Sequence, residues 1–244
     1  HALLSYTEAG VAIADAVPTL RERADLISTG TAGLGVVELV DRLINSDLAE
    51  LEPRLTRHHI HLGENLAGEK VSLPPYGINI LISGTSGSGK STLATGLMER
   101  ISEQRYQLCI VDPEGDYEKF LDATLVGSTN EAPSVEAVLR VLEDPRQSVV
   151  VNLHGVPLED RPRYFQGLLG RLEELRNRTG HPHWIVVDEA HHVLPASWEP
   201  TALQLPKHMD RMLFITLETP DLVTPAALAH VTTVLVTGSQ PQKS

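Results

Sequence analysis

Gly84-Thr85-Ser86-Gly87-Ser88-Gly89-Lys90-Ser91-Thr92 follows directly on the apolar run 78–83, and the rest of the chain can be read outward from it. The pattern is Gly, four residues, Gly-Lys and then Ser or Thr, with a strand expected before it and a helix after it. Small residues let successive backbone N–H groups curl around phosphate oxygens, and the N-terminus of the following helix adds partial positive charge. Gly84, Ser86, Gly87, Ser88, Gly89, Lys90, Ser91 and Thr92 are therefore candidate phosphate-binding residues. Lys90 is expected to reach the β and γ phosphates, and the Ser91 hydroxyl to hold Mg²⁺. Loops rich in Gly and Ser also serve simply to turn a chain, but here Lys and Ser stand in register between strand and helix.

Further along, Trp184-Ile185-Val186-Val187 runs into Asp188-Glu189-Ala190-His191-His192. Apolar residues followed by two acids place carboxylates at the C-terminal end of a strand, the edge at which parallel α/β sheets bind ligands. Asp188 there can hold Mg²⁺, and Glu189 can orient or deprotonate an attacking water. Between these signals, apolar segments alternate with helical ones. Strands are expected over 107–111, 148–152, 212–216 and 231–236, and helices over 93–104, 133–142, 161–178 and 225–229. Buried strands separated by helices imply an α/β fold with a mostly parallel sheet covered on both faces.

The chain has 244 residues, enough for one sizeable domain with an accessory piece or for two small domains. Apolar residues make up 41% and the mean hydropathy is −0.08, as in globular chains. No run approaches the roughly 20 apolar residues that cross a bilayer, so no membrane partner is expected. Nothing at the start resembles a signal peptide, and the expected compartment is the cytoplasm. Cys109 is the only cysteine, which excludes an internal disulfide; its apolar neighbours mark it as a buried residue. The formal net charge of −12 argues against general nucleic-acid binding, which needs concentrated Lys and Arg. The chain starts at His1 without an initiator Met, which suggests a piece of a longer protein.

Residues 1–50 read as strand, helix, strand, helix, with Val36, Val37, Val40, Leu43 and Ile44 along one helical face. Residues 51–57, charged and carrying Pro53, read as a linker, and 60–62 with 70–73 as a hairpin. His58, His59 and His61 invite a metal reading, since a His pair two apart on a strand can grip a metal, but no third ligand is apparent and a solvated strand edge is the plainer reading. Gly10-Val11-Ala12-Ile13-Ala14-Asp15-Ala16-Val17-Pro18, with Arg23 to Ile27 and Gly35 to Leu39, resembles the C-terminal end of Cof-type phosphatases of the haloacid dehalogenase (HAD) superfamily. The resemblance implies a Rossmannoid piece without that family's catalytic motifs, because no Asp-x-Asp pair occurs and Gly115-Asp116 has Phe120 where a second Asp is needed.

Taken together, the Gly84 loop, Asp112-Pro113-Glu114-Gly115-Asp116-Tyr117 and Val187 to His192 resemble the ATPase core of the HerA and FtsK group over residues 58–238. That resemblance implies a RecA-like P-loop NTPase fold, with an extra strand between the loop strand and the Asp188 strand, for which 148–152 is the candidate. It implies ATP and Mg²⁺ as cofactors, Ser91 and Asp188 as metal ligands, and Glu189 as catalytic base. By the same likeness Asp112 and Glu114 sit beside the phosphates and Thr216 is a polar sensor, although Leu217 and Glu218 follow it in place of the usual amide or imidazole. Members of the group form homo-oligomeric rings in which a neighbour supplies an arginine; Arg161, Arg163, Arg171 and Arg176 are candidates. The expected activity is Mg²⁺-dependent ATP hydrolysis attached to a phosphatase-like domain. Phosphotransfer to a small acceptor, nucleotide sensing and DNA translocation are the alternatives.

Overall fold

The computed structural model describes residues 7, 9–56, 58–120, 122–181, 183–198, 210–215 and 220–238. The chain divides into two compact units, one of residues 1–59 and 72–74, the other of 60–71 and 75–244.

In the smaller unit, β1 (Val11–Ala12) and β2 (Leu26–Ile27) pair in parallel, with α1 (Pro18–Arg21) between them and α2 (Ala32–Ser46) after them. Pro18 opens α1, where its missing N–H costs nothing. Glu38 on α2 accepts the Thr29 N–H, the Thr29 hydroxyl and the Gly30 N–H at 2.8, 2.8 and 3.0 Å, which fixes the turn ahead of the helix and holds the carboxyl below its ordinary range. The expected apolar face of α2 forms but stays open: Val36 is 54% and Ile44 77% exposed. Residues expected as a linker include a 3₁₀ turn, Ala49–Arg54, in which Leu51 is buried. An apolar side chain with somewhere to pack draws the segment into structure.

In the larger unit all seven strands of the main sheet run parallel: β5 (Asn79–Gly84), β6 (Gln107–Asp112), β7 (Thr124–Val126), β8 (Val149–Asn152), β9 (His183–Val187), β10 (Met212–Ile215) and β11 (Thr233–Thr237), in the spatial order β11-β5-β10-β9-β6-β8-β7. β5, β6, β8, β9 and β10 are buried along their whole lengths, as continuous apolar strands covered on both faces must be. The helices are α3 (Lys90–Glu103), α4 (Val135–Leu142), α5 (Arg161–Thr179) and the short α6 (Pro225–Leu228). Phe165, Leu168, Leu169, Leu172 and Leu175 of α5 are buried, as their spacing predicts. β3 (Ile60–Glu64) and β4 (Lys70–Leu73) form the expected two-stranded sheet, and Arg100 of α3 donates to the carbonyls of His61 and Leu62.

One expectation is corrected. The strand between the loop strand β5 and the Asp188 strand β9 is β10, not β8, which lies on the far side of β6. The crossover through α3 carries the chain from β5 past two vacant positions to β6, and β9 and β10 return to fill them. Both β8 and β10 are short and fully buried, so apolar content alone does not distinguish the central strand from the outer one. Arg176, facing inward from α5, donates to the carbonyls of Asp210 and His183 and lies 3.7 Å from the Asp210 carboxylate. Among the described residues no helix is long and apolar enough to cross a membrane.

Candidate active site

Parallel register sets the carboxyl ends of neighbouring strands side by side. Gly84 ends β5 opposite Thr237 of β11, Asp112 ends β6 opposite Asn152 of β8, and Val111 pairs with Val187, which directly precedes Asp188. The glycine loop, the Asp188-Glu189 pair and the Asp112 turn therefore share one edge of the sheet. Thr216, the expected sensor, lies outside the described residues.

The loop passes into α3 at Gly89, whose φ of 96° belongs to the left-handed region that glycine adopts without a steric cost. The first-turn N–H groups of α3, including those of Lys90, Ser91 and Thr92, have no intrahelical acceptor behind them and point out of the helix end. Lys90 is 8% exposed, and its Nζ donates to the Thr85 carbonyl at 3.2 Å, so the ammonium is folded back over the loop. Thr85, Ser86, Gly87, Ser91 and Thr92 are exposed.

Asp188 is 6% exposed, and burial, reinforced by the charges of Glu189, Asp112 and Asp116, pushes its carboxyl up to about 7. Glu189 is raised as well, chiefly by burial, with Glu114 and Asp116 adding repulsion and His191 and Lys90 opposing it. The Glu189 backbone is left-handed, φ 39° and ψ 55°, a conformation that costs a non-glycine residue about 1–2 kcal/mol. Strain of that kind persists where the surroundings impose it and is common at functional sites. His191 Nδ1 lies 3.3 Å from Glu189 Oε2, and the His191 and His192 rings meet edge to face at 4.3 Å between centroids.

Asp112, expected beside the phosphates, holds the turn that follows it. Its Oδ1 accepts the N–H groups of Glu114, Gly115 and Asp116 at 3.3, 2.8 and 3.2 Å, and Oδ2 accepts that of Tyr117 at 2.9 Å. The side chain is fully buried and its lone pairs are spent on the turn, so Asp112 shapes the site through the loop it closes. Glu114 is exposed on that loop, and its carbonyl lies 3.3 Å from His154 Nδ1.

Asp116 has no role that its place in the sequence motif implies. It lines, with Ser91, Thr95, Tyr117, Lys119 and Phe120, a cavity of about 450 Å³ beside the start of α3. Asn152 was missed too; its amide Nδ2 donates to Glu118 at 3.3 Å and its Oδ1 accepts the His154 N–H at 2.8 Å. Thr237, a hydroxyl at the end of an apolar strand, carries no signal in the sequence, yet it lies at the loop. Of the arginines, Arg176 is committed to the interior contacts above and Arg161 donates to the Val156 carbonyl at 3.1 Å. Arg163 is exposed, and Arg171, also exposed, makes a surface pair with Glu174 at 3.4 Å.

Among the described residues no group of three or more His, Cys, Asp or Glu is disposed to cage a metal, and His58, His59 and His61 do not form one. Mg²⁺ does not need such a cage, because it is commonly held by one or two protein oxygens together with phosphate oxygens. A buried Asp188 crowded by other carboxylates fits a divalent cation, whose charge would relieve that repulsion.

Residues 72–215 match the family described as AAA ATPase domain. The chain belongs to that AAA ATPase family. The match reaches from Ser72 in β4 to Ile215 at the end of β10, so it contains both the loop and the Asp188-Glu189 pair of this AAA ATPase domain. Among curated proteins no sequence matches the chain. Solved structures similar to it include the genome packaging NTPase B204 from Sulfolobus turreted icosahedral virus 2 in complex with ATP-gammaS, at 16% identity and a TM-score of 0.49 over 70% of this chain and 80% of that one. VirB4 of Thermoanaerobacter pseudethanolicus matches at 13% identity and a TM-score of 0.49 over 75% and 86% of the two chains. The flagellar accessory protein FlaH from Methanocaldococcus jannaschii matches at 14% identity and a TM-score of 0.37 over 73% and 79%.

Proposed function

We propose that this AAA ATPase domain is an ATP-binding, Mg²⁺-dependent ATP hydrolase of the HerA and FtsK kind. The observation that carries the reading is the meeting, at one sheet edge, of an open glycine loop bearing Lys90 with a buried carboxyl, Asp188, and a half-buried one, Glu189, both with raised proton affinities. Loop N–H groups and the Lys90 ammonium bind the triphosphate, and Ser91 and Asp188 would hold Mg²⁺. Mg²⁺ held by those two residues would supply positive charge against the charge that develops on the phosphates during transfer. Glu189 orients the attacking water and accepts its proton on a carboxylate oxygen, a task for which a raised proton affinity suits it. Glu114 and Asp116 border the same space from the Asp112 turn.

Homo-oligomers belong to this reading, with Arg163 or Arg171, the exposed candidates, reaching a neighbour's phosphates. The formal charge of −12 weighs against DNA as the partner. The β1-α1-β2-α2 alternation of the smaller unit and the open apolar face of α2 support a junction with a HAD-like phosphatase domain; the chain itself is not expected to hydrolyse p-nitrophenyl phosphate.

The test is phosphate release from ATP with no added acceptor. Turnover that needs Mg²⁺, vanishes in Lys90→Ala and is unmoved by small-molecule acceptors supports hydrolysis. Strict dependence on an acceptor replaces it with phosphotransfer, and nucleotide binding without turnover replaces it with sensing. Stimulation by duplex DNA at physiological salt would support translocation.

A further inference from the structure

β11 runs parallel to β5 with Thr233 opposite Ile80 and Thr237 opposite Gly84, so the last residue of each strand faces the other. At that point the Thr237 Oγ1 lies 2.6 Å from the Ser88 Oγ, a short hydroxyl pair between residues 149 apart in the chain. The approach leaves no room for a side chain at Gly84: a Cβ there would stand 2.4 Å from both the carbonyl oxygen and the Oγ1 of Thr237, and 2.7 Å from the Ser88 Oγ. Ser88 itself is flanked by Gly87 and Gly89, at φ 73° and 96°, the two most permissive joints of the loop. The one side chain between two soft joints is thus tied to the end of a neighbouring strand.

We propose that Thr237 is a positioning residue for nucleotide binding, its hydroxyl pinning Ser88 so that the loop N–H groups are already arranged for phosphate. This rests on the reading of the loop as a triphosphate site. The tie uses the Ser88 hydroxyl alone; the Ser88 N–H donates to the Thr85 carbonyl at 3.1 Å, the acceptor on which the Lys90 ammonium also rests. Ordering the loop in advance removes a cost that binding would otherwise meet.

The experiment compares wild type, Thr237→Val, Thr237→Ser, Ser88→Ala and the Thr237→Val/Ser88→Ala double variant, with Lys90→Ala as reference. Equilibrium binding of a non-hydrolysable ATP analogue is measured, together with amide hydrogen exchange over residues 85–89 in the nucleotide-free protein. Thr237→Val is expected to weaken binding about three- to tenfold, the size of one net hydrogen bond, and to speed exchange in the loop. Thr237→Ser should restore both, Ser88→Ala should reproduce the loss, and the double variant should add nothing to it. Wild-type affinity and exchange in Thr237→Val, while Lys90→Ala loses binding, overturn the proposal and leave the loop reading standing. Additive losses in the double variant also overturn it, since they show two independent contacts. No binding by the wild type removes both readings. Should Thr237→Val fail to fold, Ser88→Ala reads the same tie from the loop side, and unchanged binding there is sufficient to reject it.

Discussion

The Asp112 carboxylate holds the Tyr117 N–H at 2.9 Å and, through its other oxygen, the N–H groups of three intervening residues. A carboxylate accepting several backbone donors is a turn built into one side chain, and it decides where Glu114 and Asp116 stand. Asp112→Ala leaves those donors, the buried Tyr117 N–H among them, without their acceptor and is expected to lower stability by about 2–4 kcal/mol. Chemical denaturation checks this, and Asp112→Asn should cost less, because its amide oxygen keeps part of the set.

Glu189→Gln retains size and removes the base. The expected result is a fall in kcat of about 10²- to 10⁴-fold with ATP affinity preserved. Single-turnover hydrolysis alongside equilibrium binding separates the two, and loss of binding would place Glu189 in ligand contact instead.

Lys90→Ala removes the ammonium that now rests on the Thr85 carbonyl. Wild-type protein should melt at a higher temperature as ATP and Mg²⁺ are added, by mass action on the folded state. In the variant that upward shift should shrink to near zero while the melting temperature without nucleotide changes little.

His183 opens β9 at 1% exposure, and burial, with Arg176 nearby, pushes its imidazole down to about 3. The unfolded chain takes up that proton near 6.5, before the folded one does, so protonation favours unfolding. Stability is therefore full above about pH 6.5 and falls as the pH drops from there toward 3, by up to about 1.4 kcal/mol for each unit. Calorimetry of His183→Gln between pH 7 and 4 should show a shallower acid decline than wild type.

The glycine loop, the acidic pair and the run of buried strands are legible in the sequence because each is local: a spacing, a periodicity or a short apolar run. Strand order is not local. Val149–Asn152 and Met212–Ile215 look alike as sequence, and only the closing of the sheet decides that the second enters the gap beside β5. Asp112 was visible as a functional acid, but whether its oxygens face a ligand or its own turn depends on the path of the next few residues. Thr237 becomes part of the loop's surroundings solely through register with Gly84, a relation that spans most of the larger unit.

Cys109 sits in the middle of β6, paired with Val149 on one side and Ile185 on the other, fully enclosed and with its thiol pushed up to about 12. A thiol held there is shielded from alkylating reagents until the sheet parts. Since the chain has no other cysteine, its labelling works as a clock: the rate at which a reagent enters counts how often the central strands open. The same count taken with and without nucleotide measures how firmly the ligand keeps the sheet shut.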